Sequence, residues 1–289
     1  MTTVLHTIDQ MREQIRLLRS QNKTIGLVPT MGYLHDGHMS LIERSAEEND
    51  KTVVSIFVNP AQFGVNEDYD SYPRNLEHDL QKIGTQADFV FAPNSQMMYP
   101  DDFVTGVTTS RYSEGLCGDA RPGHFNGVVT VVTKLLNIVT PDRAYFGQKD
   151  IQQYRIIRQL VKDLNINTAV YSCPIVRELD GLAMSSRNSY LTEEQRAQAT
   201  VLHRSLQDAL QLIEQGEMDI QKIRAVIEET IATAPLAVVD YIECRQFDSW
   251  QPVERIDNTR DTRQYVLAMA VKFGNTRLLD NVLFGGRMD

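Results

Sequence analysis

Short runs of β-branched and aromatic residues alternate with longer amphipathic stretches up to about residue 175. The short runs predict strands at residues 24–28, 52–58, 88–92, 143–146 and 168–176. The longer stretches predict helices at residues 39–48, 73–83, 126–139 and 151–164, although the valines of 128–132 would also suit a strand. Strands separated by helices indicate βαβ units. We therefore expect a Rossmann-like α/β domain whose mainly parallel sheet binds ligands at the carboxyl ends of its strands.

The pattern changes near residue 176. A polar loop at 177–189 precedes Thr192, which has the character of a helix cap, and Gly216 suits the end of that helix. A second helix is predicted at 219–232. The remaining runs predict strands at 238–244, 264–271 and 276–283, with turns at Asp257–Asn258 and Gly274–Asn275. We therefore expect two domains, 1–176 and 177–289, the second a smaller α+β domain with an antiparallel sheet.

Composition narrows the classes of partner. The 289 residues carry a net charge of −9, which argues against a broad basic surface for nucleic acid. No apolar run approaches the roughly 18 residues of a membrane span, and the first residues lack the pattern of a signal peptide. The cysteines, Cys117, Cys173 and Cys244, are widely separated and suggest neither disulfides nor a zinc site. A cytoplasmic protein without membrane or nucleic-acid partners is the expectation.

The most informative segment lies between the predicted strand 24–28 and the helix that follows. A helix N-terminus offers unpaired N–H groups and a positive dipole end to a phosphate. Two histidines three residues apart can both face that phosphate as hydrogen-bond donors. A solvated loop, a histidine that caps the helix, or an HxxH metal pair are alternatives, but no third metal ligand accompanies the pair. The segment reads Pro29-Thr30-Met31-Gly32-Tyr33-Leu34-His35-Asp36-Gly37-His38.

Three further features have chemistry that suits the same site, although each alone also fits an ordinary surface. Lys149, in Gly147-Gln148-Lys149-Asp150, follows a predicted strand and offers a point charge to a phosphate. Two hydroxyls and a guanidinium stand together in Ala183-Met184-Ser185-Ser186-Arg187-Asn188 and could hold a polyphosphate. Gln62 and Gln153 carry amides that suit a small hydroxy acid.

In combination these segments resemble the pantoate–β-alanine ligase (pantothenate synthetase) family of the HIGH/KMSKS nucleotidyltransferase superfamily. The similarity is most specific from about Ile25 to Leu191 and looser towards the C-terminus. The segment Met184-Ser185-Ser186-Arg187 lacks both lysines of the superfamily's Lys-Met-Ser-Lys-Ser, which disfavours a synthetase that acts on tRNA. The motifs are PTMGYLHDGH at 29–38, FVNPAQF at 57–63, FGQKDIQQ at 146–153 and RELDGLAMSSRN at 177–188.

The resemblance implies that pantoate and ATP form pantoyl adenylate and pyrophosphate, and that β-alanine then displaces AMP to give pantothenate. It implies catalytic roles for His38, His35 and Lys149. It places pantoate at Gln62 and Gln153, with Met31 and Phe63 as apolar wall, and β-alanine at Gln62. It implies ATP contacts from Met31, Gly32, Tyr33, Leu34, His35, Asp36, Gly37, His38, Gly147, Gln148, Lys149, Asp150, Val176, Met184, Ser185, Ser186 and Arg187.

A homodimer and a Mg²⁺ ion carried by the ATP phosphates are also implied, and no protein ligand for the metal is assigned. The acidic residues Glu67, Asp68 and Asp70 more closely fit a solvated loop, and the 177–189 loop is a candidate lid. Two other functions remain open at this stage. One is a nucleotidyltransferase that stops after adenylyl transfer, and the other is a non-catalytic nucleotide-binding scaffold.

Overall fold

Six strands form a fully parallel sheet in the N-terminal part of the computed structural model, which describes residues 2–65, 67–257 and 263–286. The strand order is β1-β4-β3-β2-β5-β6. The chain moves outward from β2 through β3 and then returns to pair β5 on the other side of β2. This reversal creates a switch point beside the carboxyl end of β2. The strands are β1 (Thr3–Leu5), β2 (Ile25–Thr30), β3 (Lys51–Ile56), β4 (Phe89–Phe91), β5 (Arg143–Gly147) and β6 (Ala169–Cys173).

Helices connect these strands as βαβ units require. The valine-rich segment is a helix, because burial of 11 of its 16 residues outweighs the local preference of valine for strands. The first strand and helix, β1 and α1, were not predicted from the sequence. The helices are α1 (Ile8–Ser20), α2 (Asp36–Glu48), α3 (Leu76–Ile83), α4 (Ser95–Met98), α5 (Leu116–Ala120), α6 (His124–Val139) and α7 (Ile151–Asp163).

The predicted start of α3 at Pro73 is wrong. The helix begins at Leu76, because the Asn75 side chain accepts a hydrogen bond from the His78 N–H at 3.0 Å and caps it there. Helix α2 begins at Asp36, three residues before the apolar spacing starts.

Within the described residues, the C-terminal part contains three α-helices and an antiparallel sheet of order β7-β8-β9. The predicted cap at Thr192 is present, but the single helix expected after it is two. The chain turns at Ala199, whose carbonyl accepts from Leu202 N–H three residues on. The elements are α8 (Glu193–Gln198), α9 (Val201–Glu214), α10 (Ile220–Ile231), β7 (Ala237–Gln246), β8 (Gln264–Phe273) and β9 (Thr276–Gly285).

The fold class expected from the sequence, a Rossmann-like parallel sheet followed by a smaller α+β part with an antiparallel sheet, is confirmed. The chain divides into two compact units, Met1–Pro174 and Ile175–Asp289. The predicted turn at Asp257–Asn258 extends outside the described residues. Of the helices in the described ranges, none has both the length and the apolar character needed to cross a membrane.

Candidate active site

The segment that joins β2 to α2 makes a tight turn at the carboxyl end of the sheet. Gly32 has φ of +83° and Tyr33 has φ of +51°, so two successive residues lie in the left-handed region. A Cβ on Gly32 would come within 2.9 Å of Asp79 Oδ2, so glycine is required here for space as well as for conformation. The turn directs the chain into α2, with His35 as its N-cap residue.

The carboxylate of Asp79 holds this turn from α3. It is 1 % exposed and accepts hydrogen bonds from the N–H groups of Tyr33 at 2.9 Å and Leu34 at 2.7 Å. The Leu34 side chain is itself buried in the core. Sequence reasoning missed Asp79, although a signal was present. An acidic residue stands on the apolar face of α3 beside Leu80, where a buried partner must compensate the carboxylate.

His35 and His38 lie against each other, with ring centroids 4.0 Å apart. The His35 N–H donates to His38 Nδ1 at 3.3 Å, so the neutral His38 ring carries its hydrogen on Nε2. Burial, the neighbouring His35 and the charge of Lys149 hold the pKa of His38 well below its usual value. Burial and Lys149 lower the pKa of His35 to about 4, and its Nδ1 is buried with no hydrogen-bond partner among the described residues. Both rings are therefore neutral near pH 7.

Two lysines influence this histidine pair. Lys149 lies in a 3₁₀ turn, Gln148–Asp150, directly after β5, with its Nζ 3.3 Å from Asp150 Oδ2. Lys82, on α3, pairs with Asp36 at 2.7 Å and also lowers the pKa of both histidines. The ends of β2 and β5 thus bring His35, His38 and Lys149 together as sequence reasoning expected. Gly147 has an ordinary φ of −76°, and a Cβ there would meet open space, so the turn does not require glycine.

Gln62 lies at the end of a 3₁₀ turn that follows β3. Its Nε2 is 3.2 Å from Met31 Sδ, so the side chain reaches the segment after β2. Its Oε1 accepts from Asn59 Nδ2 at 2.9 Å. Phe63 packs edge-on against the rings of Tyr69 and Tyr72. The structure therefore brings the side chains of Gln62 and Met31 into contact.

Gln153 and its neighbour Gln152 differ in environment. Gln153 is half-buried on the first turn of α7, and within the described residues it has no hydrogen bond to Gln62 or to either histidine of the pair. Gln152 is buried, accepts from the Cys117 N–H at 3.0 Å and donates to the Gly115 carbonyl at 3.1 Å. Gln152 is therefore structural.

The acidic loop after Gln62 is anchored through Glu67. Arg121 donates to both Glu67 oxygens, at 2.7 and 2.5 Å, and also to His124 Nε2 at 3.1 Å. Burial works to raise the pKa of Glu67, but the hydrogen bonds and charge of Arg121 outweigh it and lower the pKa to about 2. His124 Nδ1–H donates to the Gln62 carbonyl at 2.8 Å. The expectation that Glu67 is merely solvated is wrong, and sequence reasoning did not single out Arg121 or His124.

The remaining candidate residues lie in the second unit. The loop at 177–189 forms a short hairpin in which Arg177 pairs with Ala183 and the Val176 carbonyl accepts from Met184 N–H at 3.0 Å. Ser185 caps a 3₁₀ helix, Ser186–Tyr190, that carries Arg187 on its first turn. Ser186 is buried. An ion pair from Arg177 to Asp280, at 2.7 Å, ties the hairpin to β9.

The donor set does not fit a metal held by the protein alone. Over the described ranges no group of three or more histidine, cysteine or acidic side chains is placed to hold a metal ion.

These features define a nucleotide-binding α/β enzyme. The parallel sheet has a switch point, the N-terminus of α2 carries two neutral histidines, and a lysine follows the neighbouring strand β5. The family model for pantoate–β-alanine ligase matches residues 3–283. The chain belongs to this family.

Known relatives agree over nearly the whole chain. It is 53 % identical to the pantothenate synthetase of Acetivibrio thermocellus, over 97 % of this chain and 98 % of the relative. The crystal structure of the Thermus thermophilus enzyme matches with a TM-score of 0.90 and 39 % identity, over 97 % of this chain and 99 % of that one. A Francisella tularensis pantoate–β-alanine ligase complexed with beta-gamma ATP and β-alanine matches with a TM-score of 0.78 and 35 % identity, over 98 % of both chains.

Proposed function

We propose that the protein joins pantoate to β-alanine at the carboxyl edge of its parallel sheet, with ATP as the energy source. As a member of its family it is a ligase, and the products are pantothenate, AMP and pyrophosphate. The observation that carries the assignment of the site is the pair of neutral histidines beside Lys149 at the start of α2. These groups suit the stabilisation of phosphate charge in a transition state.

In the first half-reaction a pantoate carboxylate oxygen bonds to the α-phosphorus of ATP, and the bond from that phosphorus to the bridging oxygen of pyrophosphate breaks. Negative charge gathers on the phosphate oxygens and on the leaving pyrophosphate. The Nε2–H of His38 is a hydrogen-bond donor that is fixed before ATP arrives, because Nδ1 already accepts from the backbone. Lys149 adds a positive charge, so catalysis is positioning and electrostatic stabilisation.

The resemblance assigns ATP to three segments. The first is the signature segment from Met31 to His38, the second is Gly147 to Asp150, and the third lies in the second unit at Val176 and Met184 to Arg187. Support comes from the open space beside Gly147, which leaves room for a ligand. The buried Nδ1 of His35 has no hydrogen-bond partner in the part of the chain that the structure describes, so it can pair with a polar group of the ligand.

In the second half-reaction the amine of β-alanine attacks the acyl carbon of pantoyl adenylate, the bond to the phosphate oxygen breaks, and AMP leaves. Gln62 and Gln153 hold pantoate, and Gln62 also borders the path of β-alanine. The contact between Gln62 and Met31 supports this placement, because it puts an amide next to an apolar side chain that suits the pantoate methyl groups. The hairpin at 177–189 is the proposed lid over the reactive anhydride.

Three further assignments belong to the same proposal. ATP enters with Mg²⁺, which lowers the charge repulsion of the phosphates and is held by them and by water. The protein acts in the cytoplasm, which its use of ATP and its three buried thiols favour. It forms a homodimer, as the resemblance implies.

The test is release of AMP and pyrophosphate from ATP, Mg²⁺ and pantoate, measured with and without β-alanine. The expected result is sustained turnover only when both acids are present. Pantoate-dependent pyrophosphate without stimulation of AMP release by β-alanine would favour a nucleotidyltransferase that stops at adenylation. No pyrophosphate under either condition would contradict the enzyme and favour a nucleotide-binding scaffold.

A further inference from the structure

The amide of Gln62 is held by a second buried amide. Gln62 is 8 % exposed and Asn59 is 1 % exposed, and Asn59 Nδ2 donates to Gln62 Oε1 at 2.9 Å. The acceptor end of Gln62 is therefore occupied from within the protein. Its Nε2 lies on the other side, where it reaches Met31.

Backbone groups fix the direction of Asn59. The Ala61 N–H can only donate, and it lies 3.3 Å from Asn59 Oδ1. The Gly127 carbonyl can only accept, and it lies 3.1 Å from Asn59 Nδ2. Reversing the Asn59 amide would set donor against donor and acceptor against acceptor. Gln62 consequently offers N–H groups, and not its oxygen, on the side that faces Met31.

The short bond in this network comes from Tyr99. Its hydroxyl donates to Asn59 Oδ1 at 2.7 Å, compared with 3.3 Å for the Ala61 N–H. Burial raises the pKa of Tyr99 to about 12, so the hydroxyl keeps its proton at neutral pH. The ring is fixed by edge-on packing against Phe103, with centroids 5.1 Å apart.

We propose that Tyr99 is a positioning residue for the acid subsite, which acts through Asn59 to hold the Gln62 amide with its N–H groups towards the substrate. This inference rests on the proposed role of Gln62 in pantoate binding. It also defines the substrate group at Gln62 as an acceptor, a carboxylate or hydroxyl oxygen.

The substitution Tyr99→Phe tests the role, because it removes the hydroxyl and keeps the ring. The KM for pantoate should rise about three- to tenfold, which is the effect of one buried hydrogen bond. The KM for ATP should stay unchanged. Tyr145→Phe is a matched control, since its buried hydroxyl donates to Glu48 at 2.8 Å away from Gln62. It should lower the melting temperature without changing either KM.

A double-mutant cycle shows whether Tyr99 acts through Gln62. Gln62→Met keeps the length of the side chain and removes the amide, and should raise the KM for pantoate. In that background Tyr99→Phe should have no further effect on KM. Three results would overturn the role of Tyr99. The first is an equal rise in the KM for pantoate in both backgrounds, the second is a rise of the same size in the KM for ATP, and the third is an unchanged KM for pantoate in Tyr99→Phe alone. An unchanged KM for pantoate in Gln62→Met would instead refute the proposed acid subsite, and the role of Tyr99 with it.

Discussion

His38 uses the two nitrogens of one imidazole for different purposes. Nδ1 accepts from the His35 N–H at the start of α2, which is the structural role of a helix cap. Nε2–H is left to donate to a ligand. The sequence suggested two alternatives for this histidine, a helix cap or a donor to phosphate. One imidazole ring can serve both, because each role uses a different nitrogen.

Substitutions that mimic one nitrogen at a time separate these two uses. His38→Ala should lower kcat by about a hundred- to a thousandfold, as the loss of a transition-state hydrogen bond does. His38→Gln can place an amide N–H near the position of Nε2 and should recover part of the rate. His38→Asn reproduces only the Nδ1 position and should not. Pyrophosphate release measures the rate.

Thermal melting of the same His38 variants shows whether the fold is intact, which we expect because the residue lies at a loop–helix junction. A normal rate in His38→Ala would refute the assigned role. Equal rates in the glutamine and asparagine variants would refute the assignment of Nε2 as the donor.

Residue types and spacing predicted the histidine pair and Lys149, because chemistry of this kind depends on positions next to strand ends. They gave no signal for Arg121, and for Asp79 they gave only an acidic residue on an apolar helix face, without its partners. Both residues act through partners distant in sequence, 45 residues from Leu34 and 54 residues from Glu67. Only the fold brings such pairs into contact, and a single sequence carries no record of them.

At the scale of elements, α3 is the support of the turn between β2 and α2. Its buried Asp79 accepts two backbone N–H groups from a turn with two residues at positive φ. The turn between β2 and α2 then sets the position of the histidine pair. Alignment of the site therefore depends on an element that contributes no catalytic group.

Asp79→Asn tests this support. The amide can accept with only one of its two ends, so one backbone N–H loses its partner. The free energy of unfolding should fall by about 1–3 kcal/mol, and the KM for ATP should rise. Glu77→Gln is the matched control, because it neutralises an exposed carboxylate on the same helix. Denaturant unfolding and steady-state kinetics measure both effects. An Asp79→Asn variant that matches Glu77→Gln in both measurements would contradict the supporting role.

The type of an element was predictable wherever the alternation of apolar and polar positions was strong. The residues at which elements begin and end were not predictable in this way. Helix α3 shows why, since Asn75 caps it two residues after the proline that the sequence suggested as its first residue. The division between α8 and α9 has no helix breaker in the sequence. Local hydrogen bonding in the folded chain determines both, so periodicity alone does not place them.

At the scale of the whole molecule, buried histidines make stability depend on pH. The pKa values of four of the six histidines are lowered, to about 4 at His35 and His124, first by burial and then by neighbouring positive charge. An unfolded histidine titrates near pH 6.5. Between about pH 6.5 and 4 the unfolded chain therefore binds more protons than the folded chain. Stability must rise with pH through this window and fall as the pH is lowered.

His124 permits a direct test of this dependence. Burial and the charge of Arg121 keep its ring neutral, while its Nδ1–H donates to the Gln62 carbonyl. His124→Asn retains a donor at that position but cannot titrate. The wild-type protein should lose more stability than the variant between pH 7 and pH 5, by about 2 kcal/mol. Ion-paired carboxylates such as Glu67, with a pKa of about 2, lose most of their contribution below about pH 4.5, which lies outside the comparison between pH 7 and pH 5. Denaturant unfolding at constant ionic strength measures the difference, and identical pH profiles for the two proteins would show that His124 is not held neutral in the fold.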